Sequence, residues 1–150
     1  MRRSWASPPS GWSLALGLLS ACVTVRGGEA SLTVDKGHLF VQARVDGQGP
    51  FWLVLDTGSQ ATFVSSEIAA RLRLSGYHQA VVTAIGGSRV AGTDTVRNVE
   101  VGTAWMSALP VLIGASNGGS SVDGVLGDSF LRTFRVTIDY SKLLVTFTPP

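Results

Sequence analysis

From Ser31 onward the chain is written in short apolar stretches separated by turn residues, and this rhythm constrains its fold more than any other feature. Leu39, Val41, Ala43 and Val45 alternate with Phe40, Gln42 and Arg44, the period of two of a half-buried strand. Asp46 to Pro50 then reads as a turn. Phe51-Trp52-Leu53-Val54-Leu55 is apolar at every position, as expected of a strand buried on both faces, and runs straight into Asp56. Strands are also expected over Val81 to Ile85, Thr95 to Val101 and Leu109 to Ile113. Two short helices fit the remainder. One spans Glu67 to Leu72 with Ser66 as its cap, and the other runs through Phe130, Leu131 and Phe134 with Asp128 or Ser129 as its cap. Near the end, Phe134, Val136 and Ile138 alternate with polar residues, and Leu143, Val145 and Phe147 do so again after Tyr140-Ser141-Lys142, which predicts a hairpin. Many short strands without a βαβ rhythm argue for an all-β barrel or sandwich.

Composition narrows the function classes. Of the 150 residues only 15% are charged, against 45% hydrophobic and 18 glycines, which excludes a disordered tail and a coiled coil. Setting aside Arg2 and Arg3, ten basic residues face ten acidic ones, so a nucleic-acid partner has no electrostatic support. Cys22 is the only cysteine, which rules out an internal disulfide or a cysteine-based zinc cluster in one chain. No metal or cofactor is implied. His38 and His78 stand apart from any metal spacing and read as surface or satisfied core residues. The stretch Gly114-Ala115-Ser116-Asn117-Gly118-Gly119 lacks a Lys at Walker spacing and reads as a surface loop.

Arg2 and Arg3 precede a short apolar core from Trp12 to Leu19 that ends in Ser20-Ala21-Cys22, the layout of a signal peptide over residues 1–21. The run is shorter than the roughly 20 apolar residues a spanning helix needs. Leu19-Ser20-Ala21-Cys22 resembles a bacterial lipobox, which implies lipidation of Cys22 and a tether at the outer face of a membrane of the cell envelope or in the periplasm. An ordinary cleavable signal that removes Cys22 is the alternative. Residues 22–30 read as a linker, and 31–150 as the domain.

The chemistry centres on Asp56-Thr57-Gly58-Ser59, an ionisable group placed where the preceding strand predicts a dry core. Gly58 permits close backbone approach, the Thr57 hydroxyl can tie the loop down, and Ser59 can donate to the carboxylate. The plainer reading is an Asx-turn ending a strand. Two further segments bear on the choice: Val125-Leu126-Gly127, an apolar run ending in glycine, and Ala84-Ile85-Gly86-Gly87-Ser88, glycines between two strand-like stretches. In this order the three resemble the retropepsin-like aspartic peptidases, and Asp123 to Leu131 followed by Phe134 to Tyr140 looks like their bacterial single-domain members. The likeness runs from Gly37 to about Phe147. It implies a closed or partly closed β-barrel of the retropepsin-like (acid protease) fold with one or two short helices. It also implies Asp56 as the catalytic residue, a flap at Ile85, Gly86 and Gly87, and a bracing strand at Val125, Leu126 and Gly127. Ser59 stands where viral members usually carry Ala, a simple hairpin turn is the alternative for the flap segment, and Asp123 aligns with a position that is not catalytic.

Peptide hydrolysis by this route uses two carboxylates that share one proton around one water. If the chain is a peptidase of this type, its single Asp-Thr-Gly requires Asp56 to meet Asp56 of a second copy across a two-fold axis, so the resemblance implies a homodimer acting on a polypeptide substrate. The resemblance further implies that Thr57 bonds across that axis. A non-catalytic peptide-binding or assembly module on the same fold is the alternative, and a structural envelope lipoprotein a third reading.

Overall fold

The computed structural model describes residues 22–84, 87–114 and 122–150. Among the described residues eleven strands and two short helices follow one another: β1 (Val25–Arg26), β2 (Gly28–Asp35), β3 (His38–Val45), β4 (Gln48–Leu55), β5 (Thr62–Val64), α1 (Ser66–Leu72), β6 (His78–Ala84), β7 (Gly87–Val101), β8 (Ala104–Ile113), β9 (Gly124–Leu126), α2 (Asp128–Leu131), β10 (Arg135–Asp139) and β11 (Leu144–Thr148). Six of these strands form a partly closed ring in the order β3-β4-β9-β5-β8-β7, and β7 returns to β3 where Ala43 faces Val101 and Val45 faces Val99. The pairs β4–β9 and β5–β8 are parallel and the other ring pairs antiparallel. A three-stranded extension, β2-β11-β10, leaves the ring at β3.

Alternation builds this arrangement. Val41, Ala43 and Val45 of β3 and Phe51, Leu53 and Leu55 of β4 point inward with Val96, Leu109, Val111 and Leu126, all buried. Asp46 and Gly47 both take positive φ, 49° and 76°, in a two-residue turn of the kind whose twist suits a hairpin, so β4 resumes at Gln48 rather than after Pro50. Phe130, Phe134 and Phe147, with ring centroids 5.1 to 5.6 Å apart, fasten α2 to the C-terminal hairpin β10–β11.

Several expectations change. The segment expected as a linker, residues 22–30, contains β1 and the start of β2, because Val25 and Arg26 pair with Met106 and Trp105 and residues 28–30 pair with β11. Backbone pairing of this kind leaves no apolar period in a Gly-Gly-Glu sequence. β4 is not buried on both faces: Trp52 is 40% exposed and Val54 half-buried, since the outer side of this strand walls an open cleft. An apolar run therefore arises without a second covering layer. β7 is fifteen residues long, far beyond Thr95 to Val101, because β6, β8 and β3 pair with successive parts of it. α1 is capped by Ser65, one residue before the expected Ser66, through Ile68 N–H donating to Ser65 Oγ at 3.2 Å. At α2 the N-cap is Gly127 without a side-chain bond, and Phe134 lies beyond the helix end. The segment expected as a signal peptide, 1–21, the expected flap residues Ile85 and Gly86, and positions 115–119 of the expected surface loop lie outside the described residues.

Candidate active site

β4 delivers Asp56 to the cleft and a loop of 56–61 returns the chain to β5. Between these two strands lies β9, which pairs parallel to β4 with Val54 beside Val125 and Leu55 beside Leu126, and antiparallel to β5 with Phe63 beside Val125. The loop is therefore clasped from behind. Asp56 N–H donates to Leu126 O at 3.1 Å and Asp128 N–H to Ser59 O at 2.7 Å. Gly127 is buried against the loop so closely that a Cβ there would stand 2.8 Å from Ser59 O and 2.7 Å from Ala61 C.

Within the loop, Gly58 N–H donates to Asp56 Oδ1 at 2.8 Å, so the Asx-turn is present. Oδ2 takes no hydrogen bond from the described residues, and the side chain is exposed. Thr57 is exposed and lines the cleft. Ser59 does not donate to the carboxylate as its position suggested: its Oγ donates to Ala61 O at 2.8 Å, because the turn points it toward β5. One carboxylate oxygen is thus used to shape the loop and the other is left for an incoming group.

A knot of polar groups not apparent from the sequence secures this arrangement. Thr62 is 2% exposed, and its Oγ1 accepts from Gly127 N–H at 3.2 Å and from Ser129 Oγ at 3.0 Å, while Thr62 N–H donates to Ser129 Oγ at 2.9 Å. Ser129 was expected to cap α2, but it serves β5 instead. Residues 67 positions apart carry no local pattern that would reveal this bond. Thr62→Val keeps the shape and strands the Gly127 and Ser129 donors, so it is expected to cost about 1 to 3 kcal/mol in urea unfolding. Thr137→Val, at an exposed site, is the control and should be near neutral. Equal costs for the two would show that the knot carries no strength.

Phe40, Val54, Val125 and Phe63 lie side by side across four neighbouring strands and form an apolar wall beside Asp56. The β2–β3 turn with Lys36 and His38, the β6–β7 hairpin with Val82, Arg89 and Ala91, and Ile138 and Tyr140 complete an open cleft of about 1580 Å³. This exceeds the roughly 300 to 1,000 Å³ of a small-molecule site. Lys36 and Arg89 balance Asp35 and Asp56 along it, so charge selects little. His38 is exposed at the rim, and His78, also exposed, packs its ring edge-on against Tyr77 at 6.1 Å.

Asp123 is a strand bridge. Its Oδ2 accepts from Trp52 N–H at 2.7 Å, its own N–H donates to Trp52 O, and its carbonyl accepts from Ser65 N–H. Two carboxyls sit below the ordinary range, both away from the Asp56 loop. Asp94 is lowered chiefly by the Thr95 and Ser75 backbone N–H groups, and Asp139 chiefly by the Ser141 hydroxyl and the Lys142 N–H in the β10–β11 turn. Gly87 opens β7 opposite Ala84 with φ of +124° and open space around it. Cys22 is exposed just ahead of β1.

The comparisons with known proteins follow the same lines. A family model described as aspartyl protease matches residues 41–130, more than half of the chain, and spans β3 to α2. A solved structure of a retropepsin-like aspartic protease from Rickettsia conorii matches with a TM-score of 0.57 and 22% identity, covering 83% of this chain and 93% of that one. No curated protein shows a significant match. The fold is retropepsin-like, an all-β, partly closed ring of strands with two short helices.

Proposed function

Because the chain belongs to the aspartyl protease family, we propose that it is a homodimeric endopeptidase in which Asp56 of each copy contributes one carboxylate to a shared dyad. The observation that carries this reading is the exposed Asp56 carboxylate, with Oδ2 free of described partners, on a clasped loop facing a cleft large enough for an extended chain. Two carboxylates brought within about 3 Å share a single proton. The ionised one takes a proton from the water as it attacks the scissile carbonyl carbon. The protonated one donates to the carbonyl oxygen, and a proton returned to the amide nitrogen lets the C–N bond break. An extended substrate lies along the apolar wall and pairs its backbone with the β6–β7 hairpin, so main-chain bonds supply affinity and side-chain pockets selectivity.

The chain holds one Asp-Thr-Gly, so the site is incomplete without a second copy. β10 supports a place for it. Its outer edge is unpaired among the described residues, and Ile138 and Tyr140 at its end line the same cleft as Asp56. A copy joined through that edge brings its own loop toward the cleft, with Thr57 of each chain reaching across the axis. Lipidation at Cys22, in the same proposal, tethers the domain at an extracytoplasmic membrane face. Thr24 is already bonded to Ser107, so the domain would sit close to the bilayer.

Mixing tests the dyad. Wild type combined with increasing Asp56→Asn at constant total concentration should show activity that follows the square of the wild-type fraction, since hybrids hold one working carboxylate. A linear dependence would mean that each chain works alone. Saturable peptide binding by a monomer that releases no product would favour the second reading, a peptide-binding module.

A further inference from the structure

The β6–β7 hairpin reaches the cleft as an arm fixed at one end. β7 is paired to β8 from Val101 back to Gly92, and among the described residues positions 87–91 pair with β6 alone. At about 3.3 Å per residue that free part is some 17 Å long. Val82, Arg89 and Ala91 on it line the cleft. A rotation of about 10° at the root displaces the far end by about 3 Å, the length of a whole hydrogen bond and enough to unpair a substrate strand from the arm.

The root is built from backbone and one carboxylate. Ser75 to Tyr77, which leads from α1 into β6, crosses β7 where Gly76 and Gly92 meet. A Cβ on Gly92 would come within 3.1 Å of Gly76 Cα and O, and one on Gly76 within 3.3 Å of Ile113 Cδ1. Gly76 also takes φ of +57°, a conformation that suits glycine. Asp94, two residues further along β7, reaches over to the incoming segment. Its Oδ2 accepts from Ser75 N–H at 2.7 Å and from Ser75 Oγ at 3.0 Å, and its Oδ1 accepts from Thr95 N–H at 2.8 Å. Ser75 Oγ in turn accepts from Tyr77 N–H at 3.3 Å, the last residue before β6.

We propose that Asp94 is a positioning residue for the site, fixing through Ser75 where β6 begins on β7 and so the angle at which the β6–β7 arm stands over the Asp56 cleft. Its effect on catalysis rests on the peptidase reading, whereas its hold on the arm does not. The donors it gathers are the same groups that depress its titration, as a carboxylate doing this work requires. Asparagine at this position is uncharged and keeps one acceptor oxygen for donors that converge from two sides, so its NH₂ must face either the Ser75 donors or the Thr95 N–H.

Asp94→Asn and Ser75→Ala test this by amide hydrogen exchange. Exchange at 78–84 and 87–91 should quicken by about tenfold or more in Asp94→Asn and less in Ser75→Ala, with β3, β4 and β9 unchanged. Substrate KM should rise more than kcat falls, because the chemistry at Asp56 is untouched while the arm that pairs with substrate has loosened. Unchanged exchange in the arm, or faster exchange spread equally over the ring, would overturn the proposal. If wild type cleaves no peptide yet the arm alone loosens, the peptidase reading fails and the anchoring role of Asp94 stands.

Discussion

Asp56→Asn is expected to lower peptide turnover by about three to four orders of magnitude while the fold is retained. The substitution is isosteric, and the amide oxygen still accepts from Gly58 N–H, so the turn that shapes the loop survives. Asp56 N–H still donates to Leu126 O, because that bond belongs to the backbone. What disappears is the acid–base chemistry: an amide neither takes a proton from water nor carries the one that polarises a carbonyl. Cleavage of a diverse peptide library by wild type and variant, from acid to neutral pH and beside urea unfolding of both, measures the two halves together. Equal turnover in the variant would remove Asp56 from the reaction. A large loss of stability would instead mark the aspartate as a structural turn residue. Silence from both proteins, with wild type a folded monomer, would favour the binding module.

Gly127→Val is expected to have the largest effect on stability, more than about 4 kcal/mol in urea unfolding, a substantial part of what a domain this size possesses. Gly127 has φ of −106° and ψ of −168°, extended backbone that any residue adopts, so conformation does not demand glycine there. Space does. A side chain would meet the backbone of Ser59 and Ala61 on one side, while on the other Gly127 O holds Phe130 N–H and Leu131 N–H at 3.0 Å each. Moving the loop away would pull on Thr62 and Ser129, and moving the helix would open the packing around Phe130. Neither side yields without losing other bonds. Loss of less than about 1 kcal/mol would mean that the loop has room to shift, and would weaken the view that β9 clasps it.

How far these features were legible differs from residue to residue. The hairpin of Val136 and Ile138 against Val145 and Phe147 is plain in the sequence, since each strand buries one face and alternation records it. The run into Asp56 was legible as a strand, but not which of its faces meets solvent. Trp52 and Val54 look the same in sequence whether a second layer or an open cleft lies above them. Ser129 carries the signature of a helix cap and serves β5 instead, because a hydroxyl bonds whatever donor or acceptor the fold brings close.

The sequence by itself determined the all-β class, the strand-to-turn junction that presents Asp56 and the order of the three segments around it, because these follow from local periodicity and from residues adjacent in the chain. Tertiary structure alone decided that residues 25–26 and 28–30 are strand, that Thr62 and Ser129 lock Gly127, and that Asp94 bonds Ser75 at the root of the β6–β7 arm. Each of these rests on backbone pairing, or on bonds between groups 19 to 67 positions apart, and such contacts leave no period in the chain that forms them.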